Sequence, residues 1–140
     1  MTEASAAGTA TVLVYSDDRS VRQQVRLALG RRVAADLPEI DVFECATYQA
    51  VLSALHIGGI DVMILDGEAV PLGGMGLARQ VKDEIANCPP VLLLVARVAD
   101  AWLATWSRAE AVLPYPIDPV RLPEAVAGLL RADAAAAATK

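Results

Sequence analysis

The sequence predicts an α/β domain built on a parallel β-sheet. Short apolar runs alternate with helical patterns five times along a 140-residue chain, a length that fits one domain. The composition is 55% hydrophobic and only 4% aromatic, which allows a core made mainly of aliphatic side chains. Strands that are apolar throughout are buried on both faces, so we expect helices on both sides of the sheet.

The five predicted strands are short apolar runs bounded by polar or turn residues. They comprise residues 11–15, 40–46, 60–65, 91–95 and 111–113. The first strand ends at an acidic pair, and the second alternates in polarity and is expected to be more exposed. The third strand ends at Asp66, the fourth follows Pro89-Pro90 and is the most hydrophobic, and the fifth is short.

Each predicted strand is followed by a helical pattern. These helices comprise about residues 21–29, 47–56, 76–86, 100–108 and 118–131. Thr47, Asp100 and Asp118 are suitable N-cap residues, and Gly58 is placed to end the second helix. Pro123 predicts that the last helix starts late or has an irregular first turn.

Composition and charge predict a single soluble, cytoplasmic domain that neither enters a membrane nor binds nucleic acid directly. Residues 1–10 are expected to be a flexible N-terminus without a signal peptide, residues 11–132 the folded domain, and residues 133–140 an Ala-rich tail that is frayed or disordered. The formal charge of −5 disfavours contact with phosphate backbones. Cys45 and Cys88 form no CxxC pair and are expected to be reduced thiols.

Acidic side chains follow two of the predicted strands. Asp17 and Asp18 come after the first strand, and Asp66 ends the third. Ligands of open parallel sheets bind beyond the carboxyl ends of the strands, which makes this edge the candidate site. The strand ends carry neither a nucleophile–base pair nor a phosphate-cradling first loop, so an enzyme is not expected.

Four segments resemble the receiver domain of bacterial response regulators: VLVYSDDRSVRQQVRLAL, DVMILD, PVLLLVAR and VLPYPIDP. The resemblance extends over residues 11–131. It implies a flavodoxin-like (βα)5 fold, a three-layer sandwich with a five-stranded parallel sheet in the order 2-1-3-4-5.

The resemblance also implies a chemistry. Asp66 matches the aspartate that accepts a phosphoryl group, and Asp17 matches a carboxylate that binds Mg²⁺ beside it. Asp18 occupies the next position and could partly compensate for a missing ligand. Carboxylates and water are the ligands that Mg²⁺ prefers, so the implied metal set is Asp17, Asp18 and Asp66.

Four positions depart from the family pattern. Ser16 stands where the first acidic residue is expected, Val95 where the switch Ser or Thr is expected, and Tyr115 where the lysine is expected. Val112 stands at the aromatic position of the fifth strand. The loop after Asp66 is also longer than is usual in the family.

These departures remove three groups: the lysine cation that faces the phosphate, one carboxylate ligand of the metal, and the Ser or Thr hydroxyl that moves toward the phosphate. Since phosphoryl transfer depends on positioning and charge neutralisation, we expect weak Mg²⁺ binding and weak or absent phosphorylation-driven switching. The sequence therefore predicts an atypical single-domain response regulator that acts by protein–protein interaction. The alternative is a conventional receiver that a histidine kinase phosphorylates on Asp66.

Several individual residues keep two interpretations. Asp66 is either the phosphoacceptor or an inherited carboxylate that caps a loop, and Asp17 is either a metal ligand or a helix cap. The glycine-rich residues 73–76 are more readily a flexible turn than a phosphate cradle. The Tyr115–Pro116 bond is a candidate for the cis form.

Two groups of side chains are candidate interfaces. Trp102 and Trp106 are spaced i, i+4 on the predicted fourth helix, which favours a surface for a protein partner or a homodimer. Arg22 and Arg26 form a basic stripe on the first helix. That stripe is either a solvated face or, as the family resemblance implies, a contact for a histidine kinase.

Overall fold

The computed structural model describes residues 8–97, 102 and 106–138, with side chains up to residue 136. Its strands are β1 Thr9–Tyr15, β2 Glu39–Cys45, β3 Val62–Asp66, β4 Val91–Val95 and β5 Ala111–Pro114. Its helices are α1 Arg19–Leu29, α2 Tyr48–Ile57, α3 Gly74–Glu84 and α4 Arg121–Ala138. The predicted helix over residues 100–108 lies largely outside the described residues.

The five strands form one parallel sheet in the order β2-β1-β3-β4-β5. This confirms the predicted flavodoxin-like order 2-1-3-4-5. β3 lies in the centre, and all five of its residues are buried, as are all five of β4. The sheet therefore places the end of β3 between the ends of β1 and β4.

Alternate residues of each central strand enter two separate cores, which makes the fold a three-layer sandwich. Leu13 and Leu65 pack with the apolar sides of α2 and α3 on one face. Val14 and Ile64 pack with those of α1 and α4 on the other. Helices on both faces explain why these strands are apolar throughout.

Short polar residues start three of the helices. The side chain of Asp18 accepts a hydrogen bond from the Ser20 amide (2.8 Å) and caps α1. Thr47 caps α2 as predicted, through the Ala50 amide. Asp118 accepts from the amides of Val120 (2.8 Å) and Arg121 (3.1 Å), and α4 begins only at Arg121.

The late start of α4 leaves Pro123 in its first turn, where a missing amide hydrogen breaks no helical bond. The N-terminal boundary of the folded domain differs from the prediction. β1 begins at Thr9, so residues 9 and 10 belong to the sheet rather than to a flexible N-terminus. α4 continues to Ala138, because its last turns are almost entirely alanine, the strongest helix former. None of the helices in the described residues is long and apolar enough to cross a membrane.

Candidate functional site

Asp66 lies at the carboxyl end of β3 and is only 3% exposed. Its carboxylate accepts three hydrogen bonds. The Ser16 hydroxyl donates to Oδ2 (2.7 Å), the Tyr115 hydroxyl donates to Oδ1 (2.7 Å), and the Glu68 amide also donates to Oδ1 (2.9 Å). Both oxygens are thus engaged by groups from the ends of three strands.

Ser16 follows β1 directly and is fully buried. Its Oγ donates to Asp66 and accepts from the Asp18 amide (3.0 Å), so both its donor and acceptor roles are used. The residue that replaces the expected carboxylate is therefore a neutral donor to the aspartate.

Tyr115 follows β5 and reaches Asp66 directly, in the place where the family resemblance puts a lysine. Burial, then the hydrogen bond to Asp66 and its negative charge, raise the pKa of the Tyr115 phenol. The phenol is therefore protonated and neutral at physiological pH. The Tyr115–Pro116 peptide bond is cis.

Asp17 and Asp18 are engaged in backbone contacts. Oδ1 of Asp17 accepts from the amide of Val70 in the β3–α3 connection (3.1 Å), while Oδ1 of Asp18 caps α1. The helix cap is thus Asp18, and not Asp17 as one of the two interpretations had it. Asp17 instead positions a loop.

The implied metal set of Asp17, Asp18 and Asp66 does not come together as a cation site. In residues 8–97, 102 and 106–138, no group of three His, Cys, Asp or Glu side chains is placed to hold a metal ion. Both oxygens of Asp66 accept from hydroxyl groups, and Oδ1 of Asp17 and Oδ1 of Asp18 accept from backbone amides. The donor set therefore does not fit Mg²⁺ as it stands.

The β3–α3 connection is tightly packed, which corrects the expectation of a flexible glycine turn. A Cβ on Gly74 would lie 2.8 Å from the Asp66 carbonyl oxygen, and one on Gly67 would lie 2.6 Å from the Leu94 carbonyl oxygen. The buried Tyr15 hydroxyl donates to the Leu72 carbonyl (2.6 Å). The glycines thus allow close backbone contact, and the loop is held to the end of β1.

Val95 and Val112, at the positions of the expected switch residues, belong to the apolar core. Val95 is 1% exposed at the end of β4, and Val112 packs against the same core. The Val95 carbonyl accepts from the Tyr115 amide (2.8 Å). Neither side chain offers a hydrogen-bonding group to Asp66.

Arg26 is 48% exposed, as a solvated stripe requires, but Arg22 is largely buried. Both hold Glu44 of β2: Nε of Arg22 contacts Oε1 (3.0 Å), and Nη2 of Arg26 contacts Oε2 (2.8 Å). Arg22 also donates to the Ser16 carbonyl (2.7 Å) and is 14% exposed. These arginines lower the pKa of Glu44, with Arg26 the larger cause. No sequence pattern indicates the role of Glu44, which lies on β2 while both arginines lie on α1.

The two tryptophans are exposed, Trp102 by 69% and Trp106 by 46%. The guanidinium of Arg79 lies 4.9 Å from the centroid of the Trp106 ring. It also donates a hydrogen bond to the backbone carbonyl of Trp106 (3.0 Å). α3 therefore fixes the position of Trp106, which lies close to the start of β5.

Comparison with known proteins supports the resemblance. No protein-family model matches the chain. Response regulatory proteins of Mycobacterium tuberculosis, from strains CDC 1551 / Oshkosh and H37Rv, are each 54% identical to it over 123 residues, which is 88% of this chain and 92% of each relative.

Solved structures agree on the fold. The receiver domain of the Francisella response regulator 1452 matches with a TM-score of 0.74 at 21% identity, over 87% of this chain and 97% of that one. The chemotaxis protein CheY4 of Vibrio cholerae matches with a TM-score of 0.70 at 21% identity, over 88% of this chain and 100% of that one. Receiver domains generally bind Mg²⁺ at their phosphorylation site and are generally not enzymes. The chain belongs to the response regulatory proteins and has the fold of their receiver domain.

Proposed function

We propose that this receiver domain acts through protein–protein contacts and without a phosphorylation-driven switch. The observation that carries the proposal is the engagement of Asp66, whose two oxygens accept from two hydroxyl groups and one amide. A carboxylate must present a free lone pair to attack a phosphoryl donor. Three of the about four acceptor positions of the Asp66 carboxylate are already used, and both oxygens are hydrogen-bonded, which makes either oxygen a weaker nucleophile than a free carboxylate oxygen.

The electrostatics of the site support the same proposal. A phosphoryl group would add about −1.5 to −2 charges next to Asp17 and Asp18. The lysine that would offset this charge is replaced by the neutral phenol of Tyr115, whose pKa is raised. The donor set also does not favour Mg²⁺, so Mg²⁺ binding is expected to be weak or absent.

The part of the domain that would respond to a phosphate is also missing. Val95 is buried and carries no hydroxyl that could move toward a modified Asp66. Ser16, Asp66 and Tyr115 instead join the ends of β1, β3 and β5 in one arrangement. We infer a surface whose presentation does not depend on phosphorylation of Asp66.

Receiver domains interact with histidine kinases and with other proteins, and a protein is the proposed partner here. The exposed rings of Trp102 and Trp106 are the candidate contact surface, because aromatic side chains dominate binding energy at interfaces. Arg22 is the weaker candidate because Glu44 and the Ser16 carbonyl already occupy it. A homodimer through the tryptophans is the alternative assembly, and the formal charge of −5 disfavours nucleic acid.

Incubation with acetyl phosphate and Mg²⁺, followed by intact-protein mass spectrometry, tests the proposal. The expected result is no stable phosphoprotein under conditions that label a conventional receiver run in parallel. A stoichiometric phosphoprotein that disappears in Asp66→Asn and changes the oligomeric state would establish the conventional alternative instead.

The binding side of the proposal is tested with Asp66→Asn as affinity bait beside the wild-type chain. Asparagine keeps the size of the side chain but cannot accept a phosphoryl group. Equal recovery of the same partner by both baits is expected. Recovery that requires Asp66 and a phosphodonor would contradict the proposal.

A further inference from the structure

A cleft of about 390 Å³ lies between the end of β5, the connection that follows it and the first turn of α4. Its apolar lining includes Leu94, Leu113, Ile117 and Leu122. Leu94 is 1% exposed and Leu122 0%, so these two lie behind the cleft, and the apolar side chains that an occupant can reach include the half-buried Leu113 and Ile117. Clefts of about 300–1,000 Å³ with mainly apolar linings are the usual binding sites of small molecules.

Two charged residues line this cleft, Asp118 and Arg121. The Asp118 carboxylate accepts from the amides of Val120 and Arg121, and these two bonds lower its pKa. Its negative charge is thus directed at the start of α4. The exposed guanidinium of Arg121 has no hydrogen-bond acceptor among the described residues, and five donors are available there for an anion.

Tyr115 belongs to both the cleft and the candidate site. It lines the cleft, while its hydroxyl donates to Asp66 at 2.7 Å. An occupant of the cleft would therefore lie against the residue that engages Asp66. Through the Tyr115 amide, which donates to the Val95 carbonyl, the same residue is also joined to the end of β4.

We propose that this cleft binds a small, mainly apolar molecule that carries one anionic group, with the anion at Arg121 and the apolar part against Leu113, Tyr115 and Ile117. We further infer that such a ligand supplies the input that a phosphoryl group supplies elsewhere. This second step rests on the proposed function, whereas the binding itself does not.

The probe for the test is anilinonaphthalene sulfonate, an apolar anion, beside its neutral analogue N-phenylnaphthylamine. Both are titrated into the folded full chain, without phosphodonor or Mg²⁺, by fluorescence and by amide NMR. We expect saturable binding, with shifted amides in residues 113–122. Arg121→Ala should weaken the sulfonate about tenfold and leave the neutral analogue unchanged, because a charge-assisted contact is lost.

Arg19→Ala is the matched control, since Arg19 is also an exposed arginine in the first turn of a helix but lies outside the cleft. It should leave both titrations unchanged. Ile117→Trp should fill the cleft and abolish both. The proposed site would be overturned if Arg121→Ala and Arg19→Ala had equal effects on binding. It would also be overturned if the shifted amides lay elsewhere in the domain. Neither result depends on whether Ile117→Trp folds.

The same NMR spectra also test whether binding in the cleft affects Asp66. The amide of Glu68 donates a hydrogen bond to Asp66. A ligand that displaces Tyr115 should therefore change the chemical shift of the Glu68 amide. Shifts confined to the cleft, with the Glu68 amide unmoved, would overturn the proposed input. Phosphorylation of Asp66 by acetyl phosphate would instead overturn the proposed function. It would not affect the conclusion about ligand binding that the titrations test.

Discussion

Tyr115 and Asp66 are 49 positions apart in the chain, and the hydroxyl of the first donates a 2.7 Å hydrogen bond to the carboxylate of the second. The phenol supplies a hydrogen-bond donor where a lysine would supply a donor and a positive charge. Asp66 therefore keeps a partner but loses the charge that would offset a phosphate.

Tyr115→Phe removes only the hydroxyl. We expect it to lower the free energy of unfolding by about 1–3 kcal/mol, because a buried carboxylate oxygen loses a donor. Urea unfolding at neutral pH measures the change. Tyr48→Phe is the control, because none of the hydrogen bonds of the described residues uses the Tyr48 hydroxyl, and it should stay within about 0.5 kcal/mol of wild type. Equal effects of the two variants would contradict the role given to Tyr115.

The double variant Ser16→Asp/Tyr115→Lys restores the missing carboxylate and the missing cation. We expect acetyl phosphate with Mg²⁺ to label this variant and not the wild type, as detected by intact-protein mass spectrometry. The same double variant with Asp66→Asn should remain unlabelled. Labelling of the wild type to the same extent would show that Ser16 and Tyr115 do not limit the chemistry.

The positions of nine elements could be predicted from the sequence, because their apolar periodicity is local and strong, whereas the sheet order is implied by the resemblance to receiver domains. The contact made by Asp17 could not be predicted in this way. Its side chain binds the amide of Val70, 53 positions away, and no pattern within either segment indicates that contact. Glu44 is similar, since it lies 22 positions from Arg22 and 18 from Arg26 and is brought to them only by the packing of α1 beside β2.

Gly74→Ala tests the packing of the β3–α3 connection. The new Cβ would lie 2.8 Å from the Asp66 carbonyl oxygen, too close for an unshifted backbone. We expect a loss of about 1–3 kcal/mol in the free energy of unfolding. Gly128→Ala, in α4 with nothing within 4 Å of the new Cβ, should instead stabilise the domain by up to about 1 kcal/mol. A neutral Gly74→Ala would mean that the loop is loosely packed.

The arginine pair predicts a dependence on acidic pH. Because the pKa of Glu44 is lowered in the folded state, its contribution to stability is present above its ordinary pKa of 4.5 and is lost as the pH falls below it. Glu44→Gln should therefore cost about 0.5–1 kcal/mol at pH 7 and progressively less in acid, measured by urea unfolding. Glu84→Gln, at an exposed position, should show little effect at either pH. A pH-independent cost would point to lost packing instead.

Alkaline pH should destabilise the domain through Cys45. Burial raises the pKa of this thiol from 9.0 to about 11, so its contribution is complete below pH 9 and is lost as the pH rises through about 11. The loss should be on the order of 2 kcal/mol. In Cys45→Ala the fall in unfolding free energy between pH 8 and 11 should be shallower than in wild type. Parallel curves for the two proteins would contradict this assignment.

The two outer strands of the sheet bear on whether copies of this chain associate edge to edge. β2, at one edge, carries Glu39, Asp41 and Glu44 within its seven residues. β5, at the other edge, has four residues and ends at Pro114, which has no amide hydrogen to offer an added strand. Charge on one side and a short, proline-ended strand on the other make both edges poor templates for an added strand, so self-association through the sheet edges is disfavoured.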